Sequence, residues 1–226
     1  MIKPIYVIRE AAVSDKQMSY VVSAIEAFLK LLSVLKLVPV IQTDVIVESG
    51  RILSPYLSEA SFGSPPKIMV DSNLLASLIE DDSCKRGSLS DPKPYYVVVV
   101  NRDLRWDSKD PSRIYGLGSH AHSAIITVRD YFSKTRLAND TEERIKNTTI
   151  HELGHMFGLI PGTRVADVIV GKYGKHCANK CIMQSRAEPA TGLVGIELDS
   201  ALCKSFCLRC FVHLIVEGWK IRSDHR

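Results

Sequence analysis

The sequence predicts an α/β (α+β) fold in which a mixed β-sheet is backed by helices and followed by a small, metal-stapled C-terminal subdomain. Three observations predict it. Tyr95–Val100 is an unbroken run of strand-forming apolar residues, as expected of a strand buried on both faces. One stretch before it and one after it repeat apolar residues at helical spacing. Five of the six cysteines, at 177, 181, 203, 207 and 210, fall in the last quarter of the 226 residues.

In chain order, residues 2–9 read as a short strand. Ser14 opens a helix with Gln17 as its capping-box partner, and Met18, Val21, Val22, Ile25, Phe28, Leu29, Leu32 and Leu35 form its apolar face. Pro39 ends that helix, and residues 40–47 form a second strand. Residues 49–66, rich in Ser, Gly and Pro, read as irregular connection. A brief strand at 67–70 precedes a short helix capped by Asp71 or Ser72 and running to Ile79, then a polar loop over 80–94. After Tyr95–Val100 comes a charged loop, 101–112. Residues 114–121 form a glycine-bearing strand, which signals an edge, a bulge or the close approach of another backbone. Residues 123–128 are a further strand. Asn139 and Asp140 then precede Thr141, Glu142 and Glu143, a helix start with acidic residues in the first turn. This helix turns Ile145, Leu153, Met156 and Phe157 to the core and stops at Gly158. The expected division is a 1–158 subdomain and a 159–226 subdomain.

The last helix carries His151, Glu152 and His155 in the pattern H-E-x-x-H-x-x-G. Histidines four apart share one helix face and can grip one zinc ion, while the adjacent Glu152 can take a proton from a water on that metal. A catalytic zinc needs a third protein ligand. Gly158 frees the chain to double back, but residue 161 is Pro and the next histidine is His176. His120, His122 and Tyr173 are competing third ligands. The clustered cysteines suit either a metal site or disulfides, and a reducing compartment favours the metal.

The run His176-Cys177, then Cys181, then Met183, then Cys207 and Cys210, resembles the archaemetzincin family of zinc metallopeptidases, in the metzincin clan. That family carries H-E-x-x-H-x-x-G-x-x-H-C, a second cysteine, x-Met and a distant C-x-x-C. The likeness covers residues 151–210 closely and extends more loosely upstream, through Tyr115-Gly116-Leu117-Gly118 and Ile125-Ile126-Thr127-Val128-Arg129. Two departures stand out. Seventeen residues separate Gly158 from His176 where the family has two, so residues 161–175 are an insertion, which Val165, Val168, Ile169 and Val170 equip to form a small flap. Three residues rather than four separate Cys177 from Cys181.

The resemblance implies a metzincin-like fold and two zinc ions. One, catalytic, would be held by His151, His155 and His176, with Glu152 as general base and then general acid and Met183 as the methionine beneath the site. The other, structural, would be held by Cys177, Cys181, Cys207 and Cys210, with Cys203 a competitor for one position. Gly116, Leu117, Gly118 and Ser119 would line the cleft and pair with an extended substrate. The implied activity is hydrolysis of peptide bonds, internal or N-terminal. The alternative is a non-catalytic zinc protein that uses the same cleft to bind a peptide or protein partner. Cys84, His213 and His225 receive no role. The net charge of +4, from 29 basic and 25 acidic residues, is too small and scattered to indicate nucleic acid. The most apolar segment, residues 18–41, is broken by Glu26, Lys30 and Lys36, which disfavours a membrane span. With no secretory leader legible, the expectation is a cytoplasmic, monomeric protein acting on peptides.

Overall fold

The computed structural model describes residues 5–34, 45–49, 57–60, 67–71, 95–105, 113–119, 123–129, 138–160, 163–171, 174–179, 181–184 and 206–223. Expectations for Pro39, residues 40–44, the 72–79 helix and the 80–94 loop, and for Cys84, His120, His122, Tyr173, Cys203 and His225, lie outside them.

Strand β1 (Ile5–Arg9) leads into helix α1 (Asp15–Val34) through a reciprocal cap. The Ser14 amide donates to Gln17 Oε1 at 2.9 Å, and the Gln17 amide donates back to Ser14 Oγ at 3.3 Å. Strands β2 (Val45–Ser49), β5 (Tyr95–Val100), β8 (Gly116–Ser119) and β9 (Ser123–Thr127) complete a five-stranded sheet in the order β2-β1-β5-β9-β8. All its pairs are parallel except β8 with β9, so the sheet is mixed.

The central position of β5 explains its composition. Tyr95, Val97 and Val99 join the core beneath the helices, while Tyr96, Val98 and Val100 pack on the opposite face with Leu104 and Ile114. Successive strand residues face opposite ways, so a strand covered on both sides carries no polar position. That second cover comes from a four-stranded sheet of β3 (Leu57–Ala60), β4 (Lys67–Asp71), β6 (Asp103–Arg105) and β7 (Arg113–Ile114). Strands β3 and β6 correct the sequence reading, which left 49–66 and 101–112 irregular. The expected strand at 114–121 is likewise split, β7 passing to the second sheet and β8 to the first.

Helix α2 (Ala138–Met156) begins earlier than the expected start after Asp140. It lies beside α1 on the first sheet, where Phe157 stacks on Tyr95 at 4.7 Å and meets Phe28 at 5.4 Å between ring centroids. Gly158, at φ 77°, ends the helix in a Schellman arrangement: its amide donates to the His155 carbonyl, and the Leu159 amide reaches back to Gly154. The insertion forms an antiparallel hairpin, β10 (Val168–Gly171) with β11 (Gly174–Cys177), and helix α3 (Leu208–Ser223) closes the described chain. No described helix is long and apolar enough to cross a membrane.

Candidate metal centres

Two side-chain clusters sit back to back at the end of α2. The ligand atoms of His151, His155 and His176 lie within 4.8 Å of one another, and so do those of Cys177, Cys181, Cys207 and Cys210. The junction between them is β11. His176 and Cys177 are consecutive on it, and strand alternation turns them to opposite faces of the hairpin.

Two nitrogens of the histidine cluster have the spacing that a tetrahedral ion requires. Zn–N bonds of about 2.0–2.1 Å imply nitrogens roughly 3.3 Å apart, and the Nε2 atoms of His151 and His155 are 3.2 Å apart. His151 Nδ1 donates to the Ile182 carbonyl at 2.6 Å, which leaves Nε2 as a lone pair facing His155. His176 Nδ1 is buried and has no hydrogen-bond partner among the described residues. Burial pushes the His176 imidazole below its ordinary pKa, with the Gly174 backbone opposing part of that shift. A neutral ring is the ligating form.

Glycines make the surroundings of these histidines possible. A Cβ on Gly116 would stand 2.5 Å from Oε1 of Glu152, and one on Gly118 would strike the Glu152 carbonyl and lie 2.6 Å from His155 Cβ. Strand β8 therefore lies directly on the face of α2 that carries Glu152, itself buried at 7% exposure. The glycine signal in the sequence marks this approach. Gly154 plays the same part from below, where a Cβ would strike Met183 Sδ. Met183 is fully buried against the helix that bears the histidines. We expect Gly118→Ala to cost about 1–3 kcal/mol through overpacking against backbone. The check is a lower urea midpoint at unchanged slope.

The cysteine cluster is equally compact. Cys177 and Cys207 sulfurs are 3.6 Å apart, and those of Cys181 and Cys210 are 3.7 Å apart. Four sulfurs around zinc at about 2.3 Å would be separated by roughly 3.8 Å. These are free thiols, and a disulfide would need sulfurs at about 2.05 Å. Cys210 lies in the first turn of α3 and Cys207 immediately before it. The Cys181 thiol is pushed down to about 5, chiefly by the hydrogen bond it shares with Cys210. Cys210 moves up, for the same shared bond and for burial, and burial raises Cys177.

Residues 181–183 serve both clusters. Cys181 offers a sulfur to one, the Ile182 carbonyl orients His151 of the other, and Met183 packs beneath Gly154. The Met183 carbonyl accepts from the Cys177 amide at 2.8 Å, and the Met183 amide donates to Cys181 Sγ at 3.2 Å. The Ile182 carbonyl and Arg164, whose guanidinium donates to Cys210 Sγ at 3.3 Å, escaped the sequence reading. Backbone roles leave no trace in residue type, and an arginine in an insertion reads as surface charge. His213 is half-buried on α3, outside both clusters.

No family model and no curated protein sequence matches the chain. Solved structures do. The archaemetzincin from Methanopyrus kandleri aligns over 96% of this chain and 96% of its own, with a TM-score of 0.56 and 17% identity. That from Archaeoglobus fulgidus, solved in complex with malonate, aligns over 92% of this chain and 99% of its own, with a TM-score of 0.50 and 14% identity. The fold is therefore that of the archaemetzincin structures, and it brings together a histidine triad and a four-cysteine cluster that could each bind zinc.

Proposed function

We propose, from the archaemetzincin fold and the three converging histidines, that this chain is a zinc-dependent peptidase that hydrolyses peptide bonds at the histidine cluster, beside β8. The observation that carries the proposal is the placement of Glu152. Its carboxylate lies under Gly116, beside the histidine triad and outside the donor set. A purely structural site has no use for a base there.

His151, His155 and His176 would hold one ion and the four cysteines a second. The histidine-held ion supplies Lewis acidity, which polarises a substrate carbonyl and makes water more acidic. Glu152 accepts a proton on its carboxylate and returns it to the leaving amine. Burial between α2 and β8 keeps that carboxylate in place. Among the described residues β8 ends the sheet order, so residues 116–119 would offer backbone donors and acceptors along which an extended peptide can pair. Such pairing recognises main chain and tolerates varied side chains. Peptides and proteins are thus the partners proposed here. With an ion held by the four cysteines, Cys177 and Cys181 would be fixed, and with them the adjacent His176 and the Ile182 carbonyl. Met183 completes the apolar floor. The N-terminal subdomain, ending at 158, supplies the base and two ligands, and the C-terminal one supplies the third.

The test is turnover of internally quenched peptide libraries by the zinc-loaded chain. Chelation should abolish cleavage and added zinc should restore it. Capture of peptides without cleavage would replace the peptidase with a peptide-binding zinc protein. In parallel, His176→Ala should lower zinc content from about two ions per chain to about one, leaving the cysteine site loaded. Unchanged zinc content would remove His176 from the site.

A further inference from the structure

The insertion places one charged side chain in the interior. Arg164 is only 4% exposed, and its guanidinium donates from Nη1 to Cys210 Sγ at 3.3 Å and from Nη2 to Cys177 Sγ at 3.6 Å. We propose that Arg164 is a positioning residue of the four-cysteine metal centre: it neutralises part of the thiolate charge and fastens the 161–175 insertion to the metal.

The electrostatics require a partner on each side. A guanidinium stays protonated in proteins, and a buried charge is tolerated only when paired and hydrogen-bonded. A divalent ion held by four thiolates leaves a net charge of two minus, and the arginine offsets half of it. Its planar fork spans two sulfurs from different elements, Cys177 on β11 and Cys210 on α3. Two of the three remaining hydrogens are also used: Nε donates to the Ala166 carbonyl at 3.1 Å and Nη2 to the Asp167 carbonyl at 3.3 Å. Asp167 adopts the left-handed conformation, at φ 54°, and its carbonyl accepts from the Ala178 amide at 2.9 Å as well.

Among the described residues of the insertion, apolar packing fastens only Val168, which is half-buried against the core. Val165 is 85% exposed, Val170 71% and Ile169 47%. Polar anchors remain, and they converge on Arg164. Lys175 Nζ donates to the Arg164 carbonyl at 3.2 Å, and Arg209 of α3 pairs with Asp167 at 3.1 Å. The described residues around Arg164 are thus held as an outer layer of the cysteine site. This inference takes only the cysteine-bound metal from the proposed function and is independent of peptide hydrolysis.

The experiment loads the full chain with cobalt(II) and compares wild type, Arg164→Met and Arg164→Lys. Two quantities are read: the sulfur-to-cobalt charge-transfer bands and the cobalt affinity of the cysteine site against a competing chelator. Hydrogen bonds to a thiolate stabilise its lone pairs, so Arg164→Met should move the bands to longer wavelength. Its affinity should fall by about 10–100-fold, as when partners of metal ligands are removed. Arg164→Lys keeps the charge without the fork and should lose less of both. Bands and affinity equal to wild type in Arg164→Met would overturn the inference, even if the variant were less stable. If Arg164→Met does not fold, unshifted bands and unchanged affinity in Arg164→Lys would overturn it alone. Absence of charge-transfer bands in the wild type would remove the cysteine-bound metal and this inference together, while leaving the peptide assay to judge the peptidase.

Discussion

Glu152→Gln should lower peptide turnover by about 10²–10⁴-fold, the usual contribution of a positioned general base, while zinc content stays at the wild-type value. The substitution suits the question because it is isosteric. The Glu152 side chain is confined beneath Gly116, with Oε1 and Cγ each 2.5 Å from where a Cβ on that glycine would be, so a smaller residue would open a void and a larger one would displace β8. Glutamine keeps the volume and removes only the proton acceptor. The effect should fall on kcat with little change in KM, as expected for an interaction made mainly in the transition state. Turnover by Glu152→Gln at the wild-type rate, in a preparation cleared of contaminating proteases, would eliminate Glu152 as the base.

Cys210→Ser should have the largest effect on the fold. Apparent free energies for binding structural zinc reach about 10–16 kcal/mol in small zinc domains, and removing one of four thiolates forfeits much of that coupling. Cys210 is fully buried at the start of α3 and shares the Arg164 guanidinium with Cys177. Its replacement should release one zinc per chain and loosen α3. Histidine-site affinity should also fall, because Cys177 and His176 are adjacent on β11. Zinc content and chelator-dependent thermal unfolding measure these effects. A variant that keeps both ions and its melting temperature would show that the cysteines do not hold a structural metal.

Features set by nearby residues were legible in the sequence. The Ser14–Gln17 cap, the turn at Gly158 and the two-sided burial of β5 each follow from residue types at short fixed spacing. The glycines of β8 signalled a close backbone, though not that the backbone belonged to Glu152. Strands β3 and β6 were missed because they are four and three residues long, too short to show a period, and because pairing between distant segments defines them. Strand β4 pairs in parallel with β6 across more than thirty residues. In the candidate site, the clustering of His176 with His151 and His155 was expected only through a family resemblance; spacing alone left the third ligand open. Arg164 was missed because it becomes buried through sulfurs 13 and 46 residues away.

The shape of the insertion bears on how such chains can be recognised. A hairpin leaves and returns at nearly the same point, with Val168 paired to Cys177 and Ile169 to His176 at its base. Residues added in pairs beyond that base would extend the two strands without moving either metal ligand. The distance along the chain between the glycine turn and the third histidine is therefore elastic, whereas their distance in space is not. A search pattern that fixes the count of intervening residues discards this chain; one that fixes only the adjacent histidine and cysteine, and lets the gap before them vary, retains it.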